Sequence, residues 1–200
     1  MSWETLSAAP LAFVRPTVIQ HCLQACAQPW RETLAGHPRF RQRVEALLMD
    51  AHGLLPLSQL PLPDEDTLVV LRLARARLAY LGRFCGAIWH SSTLAREVRG
   101  DAQRYLREHL GASLYTQALA RRELAGAPDL LREPAALMEA IDQDGVACLA
   151  AWMAQRPAPL RAWLALRLDI PDAAMSAAVP DTNLVAVAAR ALLDDPEVTA

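Results

Sequence analysis

One stretch limits the folds open to this chain more than any other. From Asp64 to Trp89 there is no proline, and Leu, Ala, Val and Arg supply most of the residues. Just upstream, Leu55 to Pro63 carries prolines at positions 56, 61 and 63. Asp64, Glu65 and Asp66 then place carboxylates where a helix N-terminus favours negative charge, and Asp64 can cap free backbone N–H groups. The spacing predicts one helix of roughly 24 residues, about 36 Å long. Val70, Leu71, Ala74, Leu78, Leu81, Cys85, Ile88 and Trp89 form a wide apolar face, and Arg72 and Arg83 share the narrow strip opposite. A helix apolar over so much of its surface is packed by neighbours on several sides. A membrane span is the competing reading, but Arg72, Arg75, Arg77 and Arg83 would each be costly in hydrocarbon.

The flanking sequence reads as further helices. Residues 1–15 have no strong period, but Trp3, Leu6, Leu11, Phe13 and Val14 can pack as an N-terminal arm. A helix is expected from Thr17 as N-cap, with Val18, Cys22, Leu23 and Cys26 on one face. Phe40, Val44, Leu47, Leu48 and Ala51 define an amphipathic helix closed by Gly53, with Arg39, Gln42, Arg43 and Asp50 outside. Residues 55–63 form a proline-rich internal linker. Ser91 or Ser92 is the expected cap of a short helix, and Gly100-Asp101 begins the next. Pro134 suits a first helical turn, and Leu137, Ile141, Gly145, Cys148 and Trp152 then line one face. Gly145 lies mid-face, where a glycine costs about 1 kcal/mol relative to Ala and so points to close helix–helix approach. Pro171 and Pro180 bracket a short Ala-rich turn of helix. A last helix runs over Leu184–Leu193, capped by Thr182 or Asn183, and 194–200 reads as a frayed tail. The fold class expected is all-α: a single irregular multi-helix domain over residues 1–200, packed around one long central helix.

Charge and composition exclude several function classes. All 20 basic residues are arginine, the net charge is −2, and the arginines are spread along the chain. No basic footprint for nucleic acid is visible. No apolar run reaches the ~18 residues of a membrane span, and the first residues lack the layout of a signal peptide. A cytoplasmic protein is expected, with Cys22, Cys26, Cys85 and Cys148 as free, mostly core thiols.

Motifs for chemistry are lacking. His21, Cys22 and Cys26 have metal-ligand identities, but His21 points about 100° away from Cys22 on a helix, and no second ligand pair has zinc spacing. Asp142-Gln143-Asp144-Gly145 looks like the start of a calcium loop, yet Ala151 stands where the closing carboxylate is required. The histidines at 21, 37, 52, 90 and 109 are scattered, and His52, His90 and His109 fall near expected helix C-termini. No nucleophile elbow, phosphate loop or dinucleotide fingerprint occurs. No catalytic residue, cofactor or metal is therefore predicted. Arg167 shares the side of its helix that carries Leu160, Trp163 and Leu164; an arginine there is either buried with a carboxylate partner or part of an exposed contact surface, and the buried ion pair is the expectation taken.

Several short motifs recur together in one known family. They are Pro29-Trp30-Arg31-Glu32, Leu60-Pro61-Leu62-Pro63, and Leu71-Arg72-Leu73-Ala74. Gly145 followed by Leu149, Ala151 and Trp152 comes next, and then Trp163-Leu164-Ala165-Leu166-Arg167-Leu168 ahead of Pro171. In their order and spacing the chain resembles the SctK/YscK-type accessory proteins of the sorting platform in bacterial type III secretion systems. The resemblance implies a helical, non-enzymatic adaptor at the cytoplasmic face of the injectisome. Such an adaptor bridges the forkhead-associated-like cytoplasmic domain of the SctD-type inner-membrane ring protein to the SctQ-type pod protein. It neither binds nucleic acid nor inserts in the membrane. For the ring-side contact, the outer face of the helix after Pro38 is the candidate: Arg39 and Arg43 lie one turn apart, and Arg41 borders the apolar side. The plainer reading of these residues is a solvated face beside Glu45 and Asp50. A second class of function is also open: a small all-α ligand-binding or regulatory protein, or an enzyme with dispersed active-site residues. A deep apolar pocket with convergent polar groups would mark that class.

Overall fold

A computed structural model describes residues 3–24, 26, 30, 34, 37–130, 133–168, 170 and 183–195. Its regular structure is α-helix and short 3-10 turns, so the expected all-α class is what the structure shows. In chain order the helices are α1 (Trp3–Ala8), α2 (Pro10–Phe13), α3 (Pro16–Cys22), α4 (Arg41–His52), α5 (Glu65–Arg72) and α6 (Arg75–Trp89). They continue with α7 (Ser91–Arg96), α8 (Gly100–Leu110), α9 (Ala112–Leu119), α10 (Pro134–Ala154), α11 (Ala158–Arg167) and α12 (Asn183–Asp194). Contacts group the chain into two compact units. The first is Met1–Pro63 with Arg156–Asp169, and the second is Asp64–Gln155 with Ile170–Ala200.

The first unit is built on Trp163. Its ring is fully buried, its indole N–H donates to the Leu55 carbonyl at 2.8 Å, and the Phe13 ring meets it edge-on at 6.2 Å. The arm is thus a folded part of this core, since Leu6, Phe13 and Val14 are all buried. The linker follows the same logic. Leu57 and Leu60 are buried while Leu55 and Leu62 face out, around a 3-10 turn at Leu57–Gln59. Helix α3 starts earlier than expected: Arg15 is its N-cap and Pro16 occupies the first turn, where a missing N–H costs nothing. Ile19 and Leu23 form its buried side; Cys22 and Cys26 are only half-buried, which corrects their expected core placement. Gly53 closes α4 at φ 59°, in the left-handed region that favours glycine.

In the second unit the predicted helix from Asp64 to Trp89 is not continuous. Asp64 caps it as expected, accepting from the Thr67 N–H at 2.7 Å. The chain then breaks at Leu73 and Ala74, both in extended backbone. Leu71 and Leu73 explain the break. On one helix they would point about 200° apart, yet both are fully buried. By bending, the chain buries both and leaves Arg72, Ala74 and Arg75 in solvent. Both pieces, α5 and α6, pack on α12. Two arginines fasten that contact: Arg190 pairs with Asp66, and the Arg77 guanidinium donates to the Leu192 and Leu193 carbonyls at the end of α12. Ser91 is buried and His90 is the N-cap of α7, so the expected serine cap does not form. The Pro171–Pro180 turn and Thr182 lie outside the described residues.

The long central helix is α10, 21 residues, which packs against α6, α8 and α12. Glycines set its distance from α6. Gly82 and Gly86, four residues apart on α6, face Gly145 of α10. A Cβ at Gly86 would lie 1.9 Å from the Ile141 carbonyl oxygen, and one at Gly145 would lie 2.0 Å from the Gly82 carbonyl oxygen. Neither obstacle is a flexible side chain, so the helix backbones would have to separate. Gly86→Ala and Gly145→Ala are each expected to destabilise the protein by about 1–3 kcal/mol, despite the better helix propensity of Ala. Gly100→Ala, which meets open space, should not destabilise. Urea denaturation of the three variants checks this ranking.

Candidate interaction surface

Helix α4 carries Arg41 and Arg43, and Arg39 lies in the 3-10 turn Pro38–Phe40 just before it; these are the three arginines nominated for partner contact. Val44 and Leu48 turn inward, while Arg39, Arg41 and Arg43 are all exposed. The arginines differ in setting. Arg41 is one turn before Glu45, a half-buried carboxylate whose pKa burial pushes up while the Arg41 charge opposes the rise. Arg39 and Arg43 have no ion pair among the described residues. Beside them, Phe40 and Leu47 are exposed, Leu47 at 46%. These two were expected on the apolar side of the helix. Phe40 ends the 3-10 turn Pro38–Phe40 ahead of α4 and Leu47 lies within α4, and both are partly in solvent although Val44 between them is buried. Of the motif at 29–32, only Trp30 is described, and it is 63% exposed; Pro29, Arg31 and Glu32 lie outside the described residues.

Arg167 is buried, as expected. Its Nη1 donates to the Phe13 carbonyl at 3.2 Å, and the guanidinium carbon lies 4.7 Å from the Phe13 ring centroid. A backbone dipole and an aromatic face are thus among the contacts of this cation. Leu166, beside it, accepts from the Arg15 N–H at 3.1 Å, so the end of α11 and the start of α3 are stitched together at Phe13–Arg15.

The second unit holds a buried carboxylate and partly exposed ion pairs that the sequence did not reveal. Glu97 is 4% exposed. Its Oε1 accepts from the Arg99 backbone N–H at 2.9 Å and from Arg99 Nε at 3.0 Å, and its Oε2 accepts from Nη2 at 2.8 Å. Hydrogen bonds from the Arg99 side chain, then its backbone N–H, hold the Glu97 carboxyl down to about 2, and the same contact raises the Arg99 pKa. Two residues of separation in a non-helical turn allow this bidentate fork, which a helical period does not predict. Asp142 and Asp144, read above as a failed calcium loop, are helical residues of α10 facing α6. Asp142 accepts two bonds from Arg83, at 2.7 and 2.9 Å. Asp144 Oδ2 lies 2.7 Å from Nε2 of His90, which is only 2% exposed.

The thiols divide in two. Cys85 and Cys148 are buried, and burial pushes the Cys85 thiol well up. Cys22 lies 3.7 Å from His52 Nε2, and burial raises its pKa as well. Among the described residues no group of three or more His, Cys, Asp or Glu side chains converges as a metal site. No described helix is long and apolar enough to cross a membrane.

No protein-family model matches the chain, and no solved structure matches it. Over 89 residues it is 36% identical to nodulation protein NolU of Rhizobium fredii, and equally to nodulation protein NolU of Sinorhizobium fredii. The matched stretch is 44% of this chain and 42% of each relative, so the chain spans about two fifths of the length of the curated relatives it matches.

Two predictions follow from these charges. The folded-state pKa of Glu97 is depressed, so its contribution is full above the unfolded carboxylate value and is lost as pH falls through about 2. The stability difference between wild type and Glu97→Gln should therefore be largest above pH ~5 and shrink steadily toward pH ~2. Urea midpoints across that range measure it, and a difference independent of pH would contradict the assignment. Arg167→Ala removes a buried donor and the cation over Phe13 and should cost about 1–3 kcal/mol. An unchanged melting temperature with impaired partner binding would move Arg167 from the core to a contact surface.

Proposed function

We propose that this chain is a non-enzymatic adaptor of a type III secretion sorting platform. In this reading it stands at the cytoplasmic face of the inner membrane and bridges the forkhead-associated-like domain of an SctD-type ring protein to an SctQ-type pod protein. The SctK/YscK-type resemblance supports it, and several of the residues that carry the resemblance are core-forming ones. Trp163, Leu164, Leu166, Arg167 and Leu168 build one compact unit, and Gly145, Leu149 and Trp152 are buried in the other. The chain's similarity over 89 residues to nodulation protein NolU is compatible with a part in nodulation.

The observation that carries the reading furthest is the contrast between inside and outside. The buried ionisable groups Glu97, His90 and Arg167 have structural partners. Arg39, Arg41 and Arg43, at the start of α4 and in the turn before it, are in solvent beside exposed apolar side chains. Groups fixed within a core support a fold; groups left outside in this mixture support an interface.

Pull-down of the purified chain against the ring protein's cytoplasmic domain and against the pod protein tests the reading. Both should be retained, and deletion of the gene should abolish secretion. Retention of neither partner, with secretion intact in the deletion strain, would refute the adaptor function.

A further inference from the structure

We propose that the outer face of α4 binds a protein surface in which an apolar pocket is rimmed by carboxylates. Phe40 and Leu47 enter the pocket, and Arg39 and Arg43 pair with the rim. The inference rests on the adaptor reading and names the chemistry of its ring-side contact.

Four observations at the start of α4 carry it. Phe40, the last residue of the 3-10 turn that leads into α4, and Leu47, seven residues on, flank the buried Val44 and are 36% and 46% exposed. Arg43 lies between them, one turn before Leu47, and Arg39 adjoins Phe40. The exposed positions near them include the small residues Ala46 and Ala51, and one side of the Phe40 ring is taken by His37, with centroids 5.6 Å apart. The charge of the face is one-sided at its Phe40 end. No acidic residue occupies the first turn of α4, Arg41 acts on Glu45, and Asp50 is the acidic residue farther along.

Each part of the face has a complement. Exposed Phe and Leu side chains match an apolar pocket that takes two anchors. Arginines that have no ion pair among the described residues, beside those anchors, match carboxylates, to which a planar guanidinium binds in two places. Apolar anchors ringed by charge are the anatomy of a specific contact, in which the anchors set the affinity and the rim sets orientation and rate. An anionic lipid surface would also attract the arginines, but two anchors on a face that includes Asp50 fit a shaped protein pocket better.

The test uses the full chain and the cytoplasmic domain of the ring protein as probe, by isothermal titration calorimetry at about 50 and about 300 mM salt. Phe40→Ala with Leu47→Ala should weaken binding by about tenfold or more at both salt concentrations. Arg39→Glu with Arg43→Glu should weaken it chiefly at low salt. Should the apolar double variant melt early, Leu47→Gln alone supplies the comparison, since that side chain is already half in water. Wild-type affinity in both double variants would overturn the inference and leave the adaptor reading standing. Binding of the wild-type chain to the pod protein alone would overturn the ring-side assignment. Loss of binding to phosphatidylserine vesicles in the arginine variant, with the ring domain still bound normally, would replace the protein partner by a membrane surface. Binding to neither protein would overturn the inference together with the adaptor reading.

Discussion

The backbone contact between α6 and α10 is the constraint on which the second unit depends. Gly82, Gly86 and Gly145 let the two helices touch main chain to main chain, and no side chain can be inserted at Gly86 or Gly145 without moving them apart. Other features there presuppose that distance. The Arg83–Asp142 fork and the His90–Asp144 pair both reach from α6, or the cap after it, across to α10. Polar pairs of this kind add little stability by themselves. Their geometry fixes the register of one helix on the other, because a shift by one residue would leave His90 buried without its carboxylate.

The first unit solves a different problem. Its first three helices are short, and helices of four to seven residues have little stability of their own. The core formed by Leu6, Phe13, Trp163 and Leu164 holds them. Arg167 belongs to this arrangement as a ligand of the Phe13 main chain and ring. A buried guanidinium is costly, and its contacts with Phe13 offset part of that cost while tying the arm to α11.

Much of this was legible in the sequence, because it depends on local chemistry. Asp64 capping α5, Gly53 ending α4, Pro134 opening α10 and the buried face through Leu137, Ile141, Gly145, Cys148 and Trp152 follow from capping rules and helical period. The break at Leu73 was not legible. No proline or glycine marks it, and it arises because tertiary burial of both Leu71 and Leu73 outweighs the continuous helical pattern. The orientation of Phe40 and Leu47 was missed for a related reason. Periodicity locates an apolar face but cannot say whether anything covers it. Glu97 and Arg99 escaped notice because their fork forms in a turn between α7 and α8, and the charged sequence there gives no sign of burial. His90, in contrast, was placed correctly near a helix end, but its carboxylate partner is 54 residues away.

An adaptor must hold two partners at once. The most direct measurement is size-exclusion chromatography with light scattering on three purified components: the ring protein's cytoplasmic domain, the pod protein and this chain. The account predicts that the first two elute separately when mixed, and that adding this chain yields one complex whose mass includes all three. A ring–pod complex that forms without the chain, or two binary complexes that never combine, would contradict it.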